Sequence, residues 1–311
     1  MRIVSLISSG TEILFAIGAG PHVVARSHEC DYPPEATVLP QATRSVVDSS
    51  RPSAEIDEEV KRLLESGDAL YEIDRDLIRS LQPDWIVTQA QCDVCAVKYQ
   101  DVIDFVAAEP ALAATRVLAL KPDNFSEVLA QVDLVGQATG LVADARTYKR
   151  ELLRRYNDVI SRTKPERIHQ QVVVAVIEWT EPLMAAGNWT PELVAAAGGV
   201  SVGAKAGEPS GYLTWLDVVA ARPDVLIVAP CGFNLERSLT EARRLAYLPG
   251  YRDLPAVANG RAYVIDGNAY LNRSGPRIID SLEILAHLIR PDLFAAPAGE
   301  LAEGRAWVRL S

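Results

Sequence analysis

Cysteine is scarce: Cys30, Cys92, Cys95 and Cys231 are the only four in 311 residues. That excludes a disulfide-built scaffold, which a chain long enough for its own cores does not need. Basic residues are too few for a nucleic-acid binder. Lys and Arg number 31 against 41 Asp and Glu, a formal net charge of −10, and a phosphate backbone calls for the opposite balance. No apolar run reaches the ~18 residues needed to cross a bilayer, so the chain is not expected to be membrane-embedded. The opening MRIVSLISSGTEILFAIGAG is apolar, but SSGTE interrupts it and places an acid in its middle. It therefore reads as a first strand and helix rather than an export signal, and as it stands the chain is expected in the cytoplasm. Also missing are a Gly-rich phosphate loop, G-x-S-x-G and H-E-x-x-H, which removes the local signatures of three large enzyme classes.

What is present is an alternation of short apolar runs and helical patterns, laid down twice. RIVSLIS, HVVARSH, WIVTQ and RVLAL read as strands, separated by helical stretches such as SAEIDEEVKRLLESG and DRDLIRSL. Strands spaced by helices imply parallel β-α units with both sheet faces covered. Residues 123–165 hold no strand pattern, and LVADARTYKRELLRRYNDVISRT extends for about 33 Å at 1.5 Å per residue. Leu141, Ala145, Tyr148, Leu152, Tyr156 and Val159 give it one buried stripe. QVVVAVIEW, VLIVAP and RAYVID then restart the pattern, and LQPDWIVT finds its counterpart in ARPDVLIVAP. The expected fold is α/β, with two similar lobes carrying parallel-type sheets, joined by one long backbone helix, and a ligand cleft between them. The lobes are expected at 1–122 and 166–294, with an Ala/Gly-rich tail, 295–311, loosely held.

In parallel α/β sheets, ligands bind beyond the carboxyl ends of the strands. The residues there are HECDYPP, AQCDVC, EWTEP, PCGF and DGNAYLNRSGPR. All four cysteines fall among them, and His28 stands two residues before Cys30. Four thiolates suit tetrahedral zinc or an iron–sulfur cluster, so Cys30, Cys92, Cys95, Cys231 and His28 form a candidate metal set. Each cysteine read singly is as well explained as a small buried apolar residue. The C-x-x-C pair also permits a thioredoxin-like reading, which Asp93 opposes by disfavouring a thiolate. Tyr32, Trp179, Trp189, Trp215, Phe233 and Tyr270 gather near the same loops; core packing explains about half of them, and the rest would make flat walls for a large planar ligand.

RIVSLISSGTEILFAIG, CDYPPE, LQPDWIVT, the long helix, AAAGG, RPDVLIVAP and NRSGPRIIDSLEILAHL resemble, in order, the substrate-binding proteins of cobalamin and iron-siderophore ABC importers. HECDYPP, CDVCAV, EW, PCGF and DGNAY resemble the cobalamin-binding subgroup. The resemblance implies a non-enzymatic, monomeric binding protein that holds cobalamin or a related corrinoid between two lobes. By position, Tyr32, the loop after WIVTQ (Gln89) and GNAYLNRSGPR would contact the corrin. Trp179, Trp189, Phe233 and Tyr270 would add apolar contact, and Glu178, Asp266, Asn268 and Arg277 hydrogen bonds to its amides. Asp76 and Asp217 fall at or beside the positions where the family docks onto arginines of an ABC permease. The family also implies a periplasmic or extracytoplasmic workplace. The rival expectation is a cytosolic metal or iron–sulfur protein using the four cysteines on the same fold. A siderophore-type binder is a third, against which the candidate residues offer few cations for a ferric-catecholate anion.

Overall fold

A computed structural model describes residues 1–92, 94, 96–164 and 171–310 of the chain. Met1–Arg51, Glu55–Pro122 and Ser126–Glu151 form one compact unit, and Pro52–Ala54, Asp123–Phe125 and Leu152–Ser311 form a second. Residues 123–165, expected as a separate helical segment, are divided between the units, with Ser126–Glu151 compacting with the first.

In unit 1, β1 (Ile3–Ser5) leads through α1 (Ser8–Ala16) to β2 (Val23–Arg26). An antiparallel pair, β3 (Thr43–Ser45) and β4 (Tyr71–Ile73), brackets α2 (Ser53–Ser66) in the chain. Then come α3 (Arg75–Leu81), β5 (Trp85–Gln89), α4 (Tyr99–Ala108) and β6 (Arg116–Leu120). The sheet order is β2-β1-β5-β6, all parallel. Every residue of β1 is buried, as expected for a parallel strand covered on both faces. Val4, Leu6, Ile78, Ile86, Val102, Phe105 and Leu112 share one core cluster. α5 (Phe125–Thr139) and α6 (Val142–Arg162) follow, and the boundary between units falls within α6.

Unit 2 repeats the scheme on β7 (Val172–Thr180), with β8 (Leu183–Ala185), α7 (Thr190–Ala196), β9 (Gly199–Ser201), β10 (Gly211–Tyr212) and α8 (Trp215–Ala221) after it. β11 (Val225–Val228), α9 (Leu235–Ala242), α10 (Pro255–Ala258), β12 (Ala262–Ile265), α11 (Ile278–Ile289) and β13 (Trp307–Arg309) complete it. The path is β10-β8-β7-β11-β12-β13, with β9 also paired to β7. β7, β11, β12 and β9 run parallel, while β8, β10 and β13 add antiparallel edges. β13 overturns the expected loose tail, because Trp307 pairs with Ile265 and is only 1% exposed. Arg155 fixes the end of α6 to α11, donating to Asp280 at 2.6 Å and to Glu283 at 2.7 and 2.8 Å.

The two Pro-Asp runs have one physical explanation. α3 ends at Gln82 and α8 at Arg222, both left-handed (φ 42° and 48°), and the proline that follows each cannot continue a helix. The next residue then clamps the neighbouring strand. Asp84 Oδ2 accepts from the Arg2 N–H at 2.7 Å, and Asp224 Oδ2 from the Val173 N–H at 2.9 Å. Each aspartate also donates its own N–H back, to the Arg2 and Val173 carbonyls at 2.8 Å.

Candidate functional site

In unit 1, the ends of β2 and β5 carry the predicted residues. Cys30 is fully buried, with Sγ 3.0 Å from the Thr11 hydroxyl at the start of α1. His28 Nδ1 lies 2.8 Å from Thr43 Oγ1, its Nε2 3.3 Å from a Glu29 carboxylate oxygen, and its ring 5.6 Å from that of Tyr71. Tyr71 donates its hydroxyl to the Val94 carbonyl at 2.8 Å, and the Val94 N–H points at Cys92 Sγ at 3.4 Å. Gln89, 6% exposed, organises the same loop: Oε1 accepts from the Gln91 and Cys92 N–H groups at 2.7 and 2.8 Å, and Nε2 donates to the Cys92 carbonyl. Its amide thus holds the loop that the sequence places against a ligand. Tyr32 is the open residue, 45% exposed.

In unit 2, β7, β11 and β12 are adjacent, and their carboxyl-end loops are sewn together. The Cys231 N–H donates to the Glu178 carbonyl, and the Asn268 N–H to the Phe233 carbonyl, both at 3.0 Å. Asn272 Nδ2 donates to the Ala229 and Gly267 carbonyls at 2.9 Å. Gly267 is required there, since a Cβ would stand 2.0 Å from the Pro230 carbonyl oxygen. Asp266 Oδ1 accepts from the N–H groups of Asn268 and Ala269 at 3.0 and 2.8 Å, holding the D-G-N turn. Asn268 Oδ1 accepts from Arg273 at 2.8 Å, and Glu178 Oε2 accepts from the Ser210 hydroxyl at 2.8 Å. Ser210, in an unpatterned Pro-Ser-Gly loop, carried no signal in the sequence.

Of the six aromatic residues expected near these loops, three are buried. Trp189 is 5% exposed and donates Nε1 to the Leu271 carbonyl at 2.6 Å, so it struts the loop after β12. Phe233 and Tyr270 are likewise buried, at 4% and 8%, with Arg277 Cζ 5.9 Å from the Tyr270 ring centroid. Burial, followed by the nearby Asp280 charge, pushes the Tyr270 phenol up to about 12. These three rings belong to the half that core packing explains. Trp179 is the half-exposed ring of the group, with Nε1 donating to the Glu181 carbonyl at 3.0 Å.

The residues of the expected metal set are divided between the two units. Cys30, Cys92 and His28 belong to unit 1 and Cys231 to unit 2, while Cys95 lies outside the described residues. Among the described residues, no group of three or more His, Cys, Asp or Glu side chains could hold a metal ion. Nor, among them, is any helix long and apolar enough to cross a membrane.

Of the two expected docking acids, Asp76 projects freely enough to be 90% exposed, with Arg79 forking between it and Glu109 at 2.5 to 2.8 Å. Asp217 is committed to the start of its own helix. Its Oδ2 accepts from the Thr214 hydroxyl and N–H at 2.5 and 2.9 Å, and those bonds hold its carboxyl below the usual range. Counted from the helix caps Asp74 and Thr214, the position matching Asp76 is Leu216, 75% exposed.

The sequence profile of the family described as periplasmic binding protein matches residues 3–269. The chain is similar to the ABC transporter substrate-binding lipoprotein YvrC of Bacillus subtilis (strain 168), 23% identical over 297 residues, spanning 94% of this chain and 81% of that one. It is similar to the vitamin B12-binding protein of Vibrio vulnificus (strain CMCP6), 22% identical over 282 residues, 91% and 87% of the two chains. Among solved structures it matches the apo form of the periplasmic heme-binding protein RhuT from Roseiflexus sp. RS-1, with a TM-score of 0.68, 25% identity and coverage of 93% and 98%.

Proposed function

The chain belongs to the periplasmic binding protein family, a family of binding proteins rather than enzymes that serves ABC transport, and from that premise we propose that its cargo is cobalamin or a related corrinoid. The observation that carries the choice is the chemistry of the interlocked loops of unit 2. They combine one half-exposed indole, Trp179, with amide and carboxylate acceptors on Glu178, Asp266 and Asn268. A corrinoid presents a flat apolar macrocycle rimmed by neutral amides, which such acceptors pair with. A heme presents two carboxylates, which such acceptors repel and which donors, above all cations such as Arg277, would welcome. The vitamin B12-binding relative points the same way. Because those loops are already tied by backbone bonds, binding would order few side chains, which keeps its entropic cost low.

Delivery requires a partner, and we assign Asp76 to the permease contact on unit 1, with Leu216 rather than Asp217 at the matching place on unit 2. The chain's likeness to a lipoprotein relative and to a periplasmic binding protein supports a workplace outside the cytoplasmic membrane. Titration of the purified protein with cyanocobalamin and, separately, with hemin, followed by absorbance, tests the reading. One equivalent of cyanocobalamin with no hemin uptake is expected; hemin uptake alone, or uptake of neither, would refute it.

A further inference from the structure

Behind the end of β7, unit 2 contains a stack that no motif announces. The Trp179 ring lies 5.2 Å from that of Phe233, tilted by 49°. The guanidinium carbon of Arg237, one turn into α9, stands 4.5 Å from the Phe233 centroid, within the range where a cation is drawn to a ring face. Beneath them is Glu241, a carboxylate only 3% exposed in which both oxygens have partners. Its Oε1 faces Arg237 Nη2 at 3.8 Å. Its Oε2 accepts from Ser53 Oγ at 3.0 Å, Thr180 Oγ1 at 3.1 Å and Arg244 Nη1 at 3.3 Å. One buried carboxylate therefore holds both the residue after Trp179 and the guanidinium that covers Phe233.

We propose that Arg237, anchored by Glu241, is the positioning residue of Trp179: it pins Phe233, and Phe233 sets the tilt at which the indole meets a flat ligand. The physical requirement is rigidity. An indole that rocks among rotamers has to be ordered each time a ligand stacks on it, whereas one wedged against a pinned ring is already in place. Arg237 suits this better than a lysine would, since its planar fork can lie over the ring while one arm stays toward Glu241. The inference rests on the proposed ligand reading only for what meets the indole; the stack itself lies wholly within unit 2.

The test uses the full chain labelled with 5-fluorotryptophan, whose five indoles give five ¹⁹F signals, the Trp179 signal being assigned by Trp179→Phe. In the absence of any ligand, Arg237→Met is expected to shift or broaden the Trp179 signal and leave the other four in place, and Arg237→Lys to restore part of the change. A Trp179 signal unmoved in Arg237→Met would overturn the proposal, as would one that moves together with all the others. Cyanocobalamin affinity is then expected to fall about fivefold in Arg237→Met, the scale of one cation–ring contact, with a partial return in Arg237→Lys. Wild-type affinity in Arg237→Met would also overturn it. If the unaltered protein takes up no cyanocobalamin, the ligand reading fails on that result alone, and the fluorine signals still decide the role of Arg237.

Discussion

Replacing Trp307 by alanine tests whether the last residues of the chain belong to the core of unit 2. The indole is 1% exposed, meets Tyr263 edge-on at 5.8 Å and His287 at 5.6 Å, and donates Nε1 to the Leu301 carbonyl at 3.1 Å. Its strand pairs with β12 through Ile265, Val264 and Tyr263. Truncating a tryptophan so enclosed costs about 3–5 kcal/mol, because the cavity left behind adds to the lost burial. For β12 amides that exchange through unfolding of unit 2, such a loss accelerates exchange on the order of a hundredfold or more. Hydrogen–deuterium exchange followed by mass spectrometry on the peptide spanning 262–265 reads this directly. Unit 1 strands such as β5 serve as the internal reference and should be unaffected. An acceleration of β12 below about fivefold would mean that β13 is docked but contributes little, and the argument from burial would be wrong.

Three further outcomes follow from single groups. Asp224→Ala should cost about 1–2 kcal/mol in urea unfolding, and its counterpart Asp84→Ala less, because the Asp84 side chain is 60% exposed and water can replace it; equal costs would contradict this. The Tyr270 phenol titrates at about 12 in the folded chain against about 10 unfolded, so its contribution is intact below pH 10 and is lost as pH rises toward 12. Tyr270→Phe should therefore flatten that part of the alkaline limb of a pH–stability curve, and an unchanged limb would show that other groups set it. Arg155→Met should destabilise unit 2 by about 2–4 kcal/mol by stranding Asp280 and Glu283, and adding Asp280→Asn with Glu283→Gln should recover part of that loss. A triple variant no more stable than Arg155→Met would argue against a stranded-charge cost.

The α/β alternation was legible because its signals are local. Proline after a helix, an aspartate that caps or clamps, and runs of two or three consecutive β-branched residues each act over a few positions, and the chain uses them twice. The antiparallel additions to unit 2 carry no such signal, for the opposite reason. β10 is two residues long and β8 three, too short for any alternation to register, and β13 follows an Ala/Gly stretch whose composition suggests looseness. The distant Tyr263 and His287 help give Trp307 somewhere to go.

The candidate site was legible in position but not in direction. Strand order told which residues stand at carboxyl ends, and Glu178, Cys231, Phe233 and Asn268 do meet there. Whether a ring at such a place faces outward depends on what partner its polar atom can find inside. Trp189 found the Leu271 carbonyl, so its indole could be buried without stranding an N–H, while the Trp179 N–H found its acceptor two residues along its own strand end and the ring stayed half-open. Glu241 is the sharper case. Within NLERSLTEARRLAY it reads as one more charge on a solvated helix face, with arginines at ordinary pairing distances. Its burial becomes intelligible only once Ser53 and Thr180, residues 188 and 61 positions away, supply the hydroxyls that replace water around the carboxylate. A buried polar centre assembled from distant segments leaves no periodicity behind, and that is where sequence patterns lose the residues that hold a binding surface in shape.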